Sequence, residues 1–390
     1  MPKKTREIVV PCTGKGHRVR LARGIRFWRK ARCPVCRSPV DPSRVRRILR
    51  WFTNLAQPAS SSPIHRGIWL GCIVYLALVF LSALVLWGLS DRWWPATVLL
   101  FGPRWVLSLP LLGLVPAAIL WDRPFLPLLA VAGLVLAGPV MGFRSGWRSL
   151  LANDDPQRDI RVVSFNARGG ETLFLNPGNL MADWEADVAA IQECGRSLAE
   201  GLHQLPGWYV DSRIGLCLVS RFEIAEVVEM DRDAFEFAGG SGLVVTYSLD
   251  PSGSPFYVTN IHLETPRAGF ELIRAGRMRE GISKTREKSL LRDVELRRTR
   301  RWVDRFQGPH LVLGDFNTTP ESRSYRASWR GWQNTFSKIG RGLGGTRLNG
   351  WIRARIDHVL ADPSWTVVRA WLAEDVGSDH LPIMAKLRLR

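Results

Sequence analysis

Residues Gly67 to Leu89 read GIWLGCIVYLALVFLSALVLWGL, 23 residues without a charge. A helix of that length reaches across a hydrocarbon core of about 30 Å. A soluble helix as long needs a polar face to meet water, and this one has none. The stretch is too long and too far into the chain to be a cleaved signal peptide. Two further apolar stretches follow. Val98–Trp121 is interrupted by Gly102, Pro103 and Arg104, and Pro124–Phe143 is broken only by Pro124, Pro127 and Pro139. Short polar turns, Asp91-Arg92 and Asp122-Arg123, connect them. Arg104 is expected to snorkel toward the interface. Trp87, Trp93, Trp94, Trp105 and Trp121 cluster near the span ends, as an interfacial belt does. The expectation is three transmembrane helices, at 67–89, 98–121 and 124–143. A re-entrant middle stretch, leaving two crossings, is the alternative.

The net charge of +19 would ordinarily point to nucleic acid or an anionic surface. It is not evenly spread. Residues 1–66 carry +15, residues 67–143 carry +1 and residues 144–390 carry +3. The basic character therefore belongs to the N-terminal tail. Arg44, Arg46, Arg47, Arg50 and Arg66 precede the first span, and positive residues stay on the cytoplasmic side. This predicts a multi-pass protein of the cell membrane, with a cytoplasmic N-terminus. Three crossings then place residues 144–390 outside the cytoplasm, a conclusion that needs an odd number of spans.

Residues 1–43 are expected to form a small zinc-ribbon-like module. Cys33-Pro-Val-Cys36 is a C-x-x-C knuckle, which directs two thiolates at one tetrahedral ion. Cys12 and His17 are the candidates for the other two ligands. So short a segment buries too little core to fold alone, and a structural Zn²⁺ would supply the missing stability. A disordered basic tail is the alternative. Residues 44–66 combine RVRRILRWF with QPASSSP, a basic juxtamembrane piece suited to anionic lipid and then a linker.

After a polar connector at 144–159, residues 160–390 alternate between strand-like and helix-like stretches, the pattern of an α/β domain. Strands are predicted at 161–166, 188–192, 215–220, 242–249, 256–262, 310–314, 357–360 and 383–388, with helices at 176–185 and 289–306. Polar residues recur at the strand ends. Asn166 ends VVSFN, Glu193 ends AAIQE, and Asn260 and His262 end YVTNIH. Asp315 and Asn317 follow LVLG, Asp357 and His358 open DHVL, and Asp379-His380 precede LPIMAKL. Any one is an ordinary turn residue. Together they form a set of oxygen donors suited to a hard cation, with imidazoles suited to proton transfer near neutral pH.

The segments SFN, IQE, NIHLE, GDFNTTP, RIDHVL and GSDHLPI resemble, in order and spacing, the endonuclease/exonuclease/phosphatase family over about residues 158–390. The resemblance implies a four-layer α/β sandwich, two mixed sheets flanked by helices. It implies a metal-dependent hydrolase of phosphoric esters, using Mg²⁺ or Mn²⁺. By the same resemblance, Glu193 and Asn166 hold the metal and Asp379 approaches it. Asp315 orients or deprotonates the attacking water, and Asn317 holds the scissile phosphate. His262 donates to the phosphate, and Asp357 sets the tautomer of His380. His358 is expected to be a structural strand residue.

Asn260, Arg221 in VSRF and Arg267 in HLETPR are candidate substrate contacts. Residues 267–305 carry +7, which reads either as the solvated face of a helix or as a rim for a polyanion or lipid head group. Cys194 and Cys217 are expected as free, buried thiols, a disulfide being the alternative outside the cell. The leading functional expectation is a membrane-anchored phosphoesterase acting on a phosphodiester, phosphomonoester or lipid-linked (pyro)phosphate. An extracytoplasmic nuclease on DNA or RNA and a catalytically inactive receptor or scaffold are the alternatives.

Overall fold

In the computed structural model, the described residues are 7–11, 18–22 and 62–390, except 171–175, 234–239, 241, 252 and 351. Cys12, His17, Cys33 and Cys36 lie outside them, and the zinc reading with them. The chain divides into two compact units, Met1–Ala77 with Leu109–Ala132, and Leu78–Ser108 with Gly133–Arg390. In the first, β1 (Glu7–Pro11) pairs antiparallel with β2 (Arg18–Ala22), and His65 meets Asp122 at 2.8 Å.

Three helices, Pro63–Arg92, Arg104–Trp121 and Arg123–Val140, are long and apolar enough to cross a membrane. The second starts at Arg104 rather than Val98. Proline disfavours helical backbone at the residue before it, and Gly102 before Pro103 is extended, at φ −76° and ψ 172°. Trp94–Phe101 is consequently a separate short helix. Arg104 does not simply snorkel. It donates to the carbonyls of Leu99, Leu100 and Val140, and both terminal nitrogens reach Glu321 Oε2 at 3.1 Å.

The second unit is dominated by two six-stranded mixed sheets. Its strands, in chain order, are β3 (Arg144–Ser145), β4 (Asp159–Asn166), β5 (Val188–Gln192), β6 (Tyr209–Arg213), β7 (Leu216–Ser220), β8 (Glu223–Glu229), β9 (Leu243–Asp250), β10 (Phe256–His262) and β11 (His310–Asp315). They continue with β12 (Gln333–Asn334), β13 (Arg341–Gly342), β14 (Arg347–Asn349), β15 (Ile352–Ala354), β16 (Asp357–Ala361), β17 (Trp365–Leu372) and β18 (Ile383–Leu389). One sheet runs β17-β18-β4-β5-β7-β6 and the other β12-β16-β11-β10-β9-β8.

Alternation along each strand builds the layers. Val162, Val188 and Leu218 of the first sheet share a buried cluster with Val245, Val258 and Leu313 of the second. Val163 and Ile191, on the opposite face, pack under Leu180 and Leu198 of helices Pro177–Trp184 and Arg196–His203. Val244 and Val312 pack against Leu296 and Val303 of helix Met278–Val303. The layers are thus helix, sheet, sheet, helix.

Within this unit, helix ends are tied to the sandwich. Asp91 accepts from Ser322 Oγ and the Arg323 N–H, both at 3.1 Å. Arg326 donates to the Trp87 carbonyl and lies over its ring. Phe101 packs on Phe270, and the buried Arg292 guanidinium faces the same ring.

Candidate active site

β4 and β5 run parallel, as do β10 and β11, so Asn166, Glu193, His262 and Asp315 all emerge at strand C-termini. Register aligns His262 with Asp315, and Asp315 with Asp357 at the start of antiparallel β16. β18 runs antiparallel to β4, which returns the loop carrying Ser378, Asp379 and His380 to Asn166. Ser378 Oγ donates to the Asn166 carbonyl at 2.7 Å.

The polar groups are interlocked. Asn166 Nδ2 donates to Glu193 Oε1 at 3.0 Å and to Asp315 Oδ2 at 3.2 Å. His262 Nε2 lies 3.7 Å from Glu193 and 3.8 Å from Asp315. His380 Nδ1 donates to Asp357 at 2.9 Å, leaving Nε2 facing Asp315 at 3.9 Å. The Asn317 N–H donates to Asp315 Oδ1, and its side-chain amide donates to the Leu263 carbonyl, both at 2.8 Å. Arg168, Glu193 and Asn317 have φ of 48°, 46° and 46°. Left-handed backbone is unfavourable for Arg and Glu, so the surrounding structure imposes these turns on the site.

Burial separates the carboxylates electrically. Burial, and then the neighbouring Asp357 charge, push Asp315 up to about 6. Burial also opposes the charge on Asp357, but His380 holds it below the usual carboxylate range. Burial opposes the His380 imidazolium in turn, and Asp357 overrides it, so His380 titrates above its ordinary value. The arrangement is a near-neutral base beside an imidazolium with one free donor.

Asp315, Asp357 and His380 offer ligand atoms within 4.8 Å of one another. The His380–Asp357 hydrogen bond already engages one side of that group. The Glu193 carboxylate is half exposed and has no Lys or Arg partner among the described residues, whereas Asn166 is buried beside it. Hard oxygen donors of this kind fit a divalent cation.

Three sequence expectations are corrected here. Asn260 is fully buried between the sheets, accepting from Gln192 Nε2 at 2.7 Å and donating to the carbonyls of Ile191 and Cys217. It binds the two sheets together rather than a substrate. Arg221 follows β7, which runs antiparallel to β5 and pairs Ser220 with Val188, so it lies at the end opposite Glu193. There it donates to the Ala186 carbonyl and lies over Trp208. Cys194 and Cys217 are joined by a disulfide with Cα atoms 5.9 Å apart.

Asp379 is at the site, but it pairs with Arg347 at 2.5 Å and Arg168 at 3.6 Å, and lies 4.0 Å from His380 Nε2. Arg267 is exposed at the start of helix Arg267–Arg274, shortly after His262. His358 is structural, as expected: burial pushes it down to about 4, and Nε2 meets the Thr318 carbonyl at 2.9 Å. The sequence reading missed Arg168, Thr346 and Arg347. Thr346 Oγ1 accepts from the Asp357 N–H at 3.1 Å, and Arg347 reaches Asp379 from the β14–β15 hairpin. Only the adjacency of Arg168 to SFN could have signalled any of them.

The sandwich and this set of acids, amides and imidazoles define a phosphoesterase-type fold. Residues 163–380 match the Endonuclease/Exonuclease/phosphatase family, and the chain belongs to that family. Its members hydrolyse phosphoester bonds and generally use divalent metal ions. No curated protein matches the chain. Similar solved structures include TDP2 from D. rerio complexed with a single-strand DNA product, at 16% identity over 59% of this chain and 99% of that one, TM-score 0.46. An endonuclease/exonuclease/phosphatase from Beutenbergia cavernae is 19% identical over 60% of this chain and 72% of its own, TM-score 0.42. A mannosyl-6-phosphatase from Bacteroides thetaiotaomicron is 20% identical over 58% and 99%, TM-score 0.42. These are likenesses of fold alone.

Proposed function

We propose that this chain is a membrane-anchored phosphoesterase dependent on Mg²⁺ or Mn²⁺, with its active site outside the cytoplasm and a lipid-linked phosphate or pyrophosphate as substrate. The carrying observation is the convergence of Glu193, Asn166, His262, Asp315 and the Asp357–His380 pair at one end of the two sheets. A receptor or scaffold has no need of a buried, near-neutral carboxylate between two imidazoles.

Glu193 and Asn166 would hold the cation. When bound there, a divalent ion would supply positive charge to offset the negative charge developing on the phosphoryl oxygens. Asp315 Oδ2 takes the proton of the attacking water; its value of about 6 leaves it ionised yet basic near neutral pH. His262 Nε2 and His380 Nε2 flank that oxygen and donate to the phosphoryl group. Asp357 holds His380 in the tautomer that presents Nε2, and Asn317 orients Asp315 through its N–H.

Two observations support the location and the substrate class. The Cys194–Cys217 disulfide suits an oxidising compartment, which agrees with an N-terminus inside and three crossings. The packing of helix ends on the sandwich supports a close rather than a loosely tethered attachment of the active-site domain to a membrane. Part of the positive charge of segment 267–305 is engaged within the protein. Arg277, Lys284, Lys288, Arg297 and Arg300 all pair with acids, and Arg292 is buried.

The test is hydrolysis by purified full-length protein of a panel of isoprenoid pyrophosphate, phospholipid and plasmid DNA, with Mg²⁺ and with EDTA. Turnover of a lipid phosphate that EDTA abolishes is expected. Preference for plasmid DNA would establish the nuclease instead, and no metal-dependent turnover of any substrate would sink the enzyme reading.

A further inference from the structure

A cavity of about 230 Å³ lies behind the loop that follows Asn317. Its lining includes Arg104, Trp105, Met141, Glu321, Arg353 and Arg355. Arg355 is 5% exposed, and its Nε and Nη1 have no hydrogen-bond partner. Only Nη2 is engaged, donating to Ser337 Oγ at 3.2 Å, while the guanidinium lies over Phe336. Buried donors left unmet are costly, so a guanidinium fork bordering a cavity calls for an acceptor there. Glu321 does not meet these donors: its Oε2 takes both terminal nitrogens of Arg104, and neither of its oxygens hydrogen-bonds Arg355 Nε or Nη1. Arg104, Arg353 and Arg355 against Glu321 leave the cavity walls with an excess of positive charge.

We infer that this cavity is a second anion site, separate from the catalytic centre, that takes the phosphate group of an outer-leaflet lipid. Arg355 supplies the fork that matches phosphate oxygens, and the exposed Arg353 adds charge at the mouth. The lipid assignment rests on the membrane reading above. Gly102–Trp105 opens one candidate span and Met141–Gly142 follows another, so both would lie at head-group depth on the side of the catalytic domain. The site adjoins the catalytic frame. Arg353 sits on β15, and its hairpin partner β14 carries Arg347, which pairs with Asp379 and bridges to His380.

The test titrates full-length protein in phosphatidylcholine nanodiscs with short-chain phosphatidylglycerol and, separately, with inorganic phosphate, by calorimetry. Arg353→Glu and Arg355→Gln should each weaken binding about tenfold or more, the worth of a charge-assisted hydrogen bond. Arg148→Gln, in a neighbouring basic cavity, should leave it unchanged. Loss confined to the lipid assigns a lipid head group; equal loss for inorganic phosphate assigns the bare phosphate group. Both support the site. Unchanged binding in both variants, or equal loss in Arg148→Gln, overturns it. Should Arg355→Gln misfold, the exposed Arg353→Glu decides alone. Flotation with neutral phosphatidylcholine vesicles tests the anchoring separately: failure there with phosphate binding intact removes the membrane reading and not the site.

Discussion

Asp357→Asn isolates one charge in the catalytic centre. The carboxylate is fully buried and receives His380 Nδ1–H at 2.9 and 3.1 Å, so an amide of the same shape can still accept that bond. What disappears is the charge that overrides burial at His380. The imidazolium then loses its support, and His380 titrates lower. Asp315 moves the same way, because the Asp357 charge helps to raise it to about 6. The acidic limb of the rate profile, set by ionisation of Asp315, and the alkaline limb, set by loss of the His380 proton, should both move toward acid. Losing one positioned proton-transfer partner lowers rate by about 10²–10⁴-fold, or about 3–5 kcal/mol in the barrier. The assay is kcat/KM against pH for bis(p-nitrophenyl) phosphate at saturating Mg²⁺, wild type beside the variant. A profile that keeps both limbs in place, or a loss under about tenfold, would refute the pairing as the source of His380's charge.

Other consequences are as direct. Glu193→Ala should cost about 10²–10³ in kcat and abolish saturable Mg²⁺ binding in calorimetry; retained binding would move the metal elsewhere. Reducing the Cys194–Cys217 disulfide, whose separation is 23 residues, should lower unfolding stability by about 3 kcal/mol on the chain-entropy scale. A denaturation midpoint indifferent to reductant would contradict the bridge. Glu321→Ala leaves Arg104 without its acid and should destabilise the protein by about 3–5 kcal/mol, read as a lower Tm. Alkaline phosphatase fused after Arg390 should be active, and an inactive fusion would place the catalytic domain in the cytoplasm.

Much of the catalytic centre was legible because its residues end strands. A strand rich in β-branched residues that stops at Asn, Glu, His or Asp announces both its limit and its chemistry. The predicted strands at 188–192 and 256–262 are those observed, and the other predicted ones differ by a residue or two at their ends. Helix Met278–Val303 begins well before its predicted start at Ser289. Its first turns carry no apolar stripe. They bury Gly281 and Thr285 instead, and Thr285 lies where a Cβ on Gly269 would come within 2.3 Å, so close approach of small residues replaces the periodicity that hydropathy reads. Strands β6, β8 and β17 were not anticipated. β6 and β8 are half exposed along much of their length, and polar residues interrupt their patterns.

By itself the sequence determined the apolar helices, the strand-end donors and the family, since each is written within a few consecutive residues. Tertiary structure decided what each donor can reach. Asn260 and His262 sit two residues apart on one face of β10, yet one is sealed between the sheets and the other emerges, because depth within the sandwich is set by the opposite sheet. Arg221 was sent away from the site by the antiparallel pairing of β7 with β5, and that pairing also brought Cys217 to Cys194. Arg104 found Glu321 across 217 residues of sequence. A two-residue period specifies which way a side chain points, whereas strand direction and partner come from long-range pairing that no local pattern records.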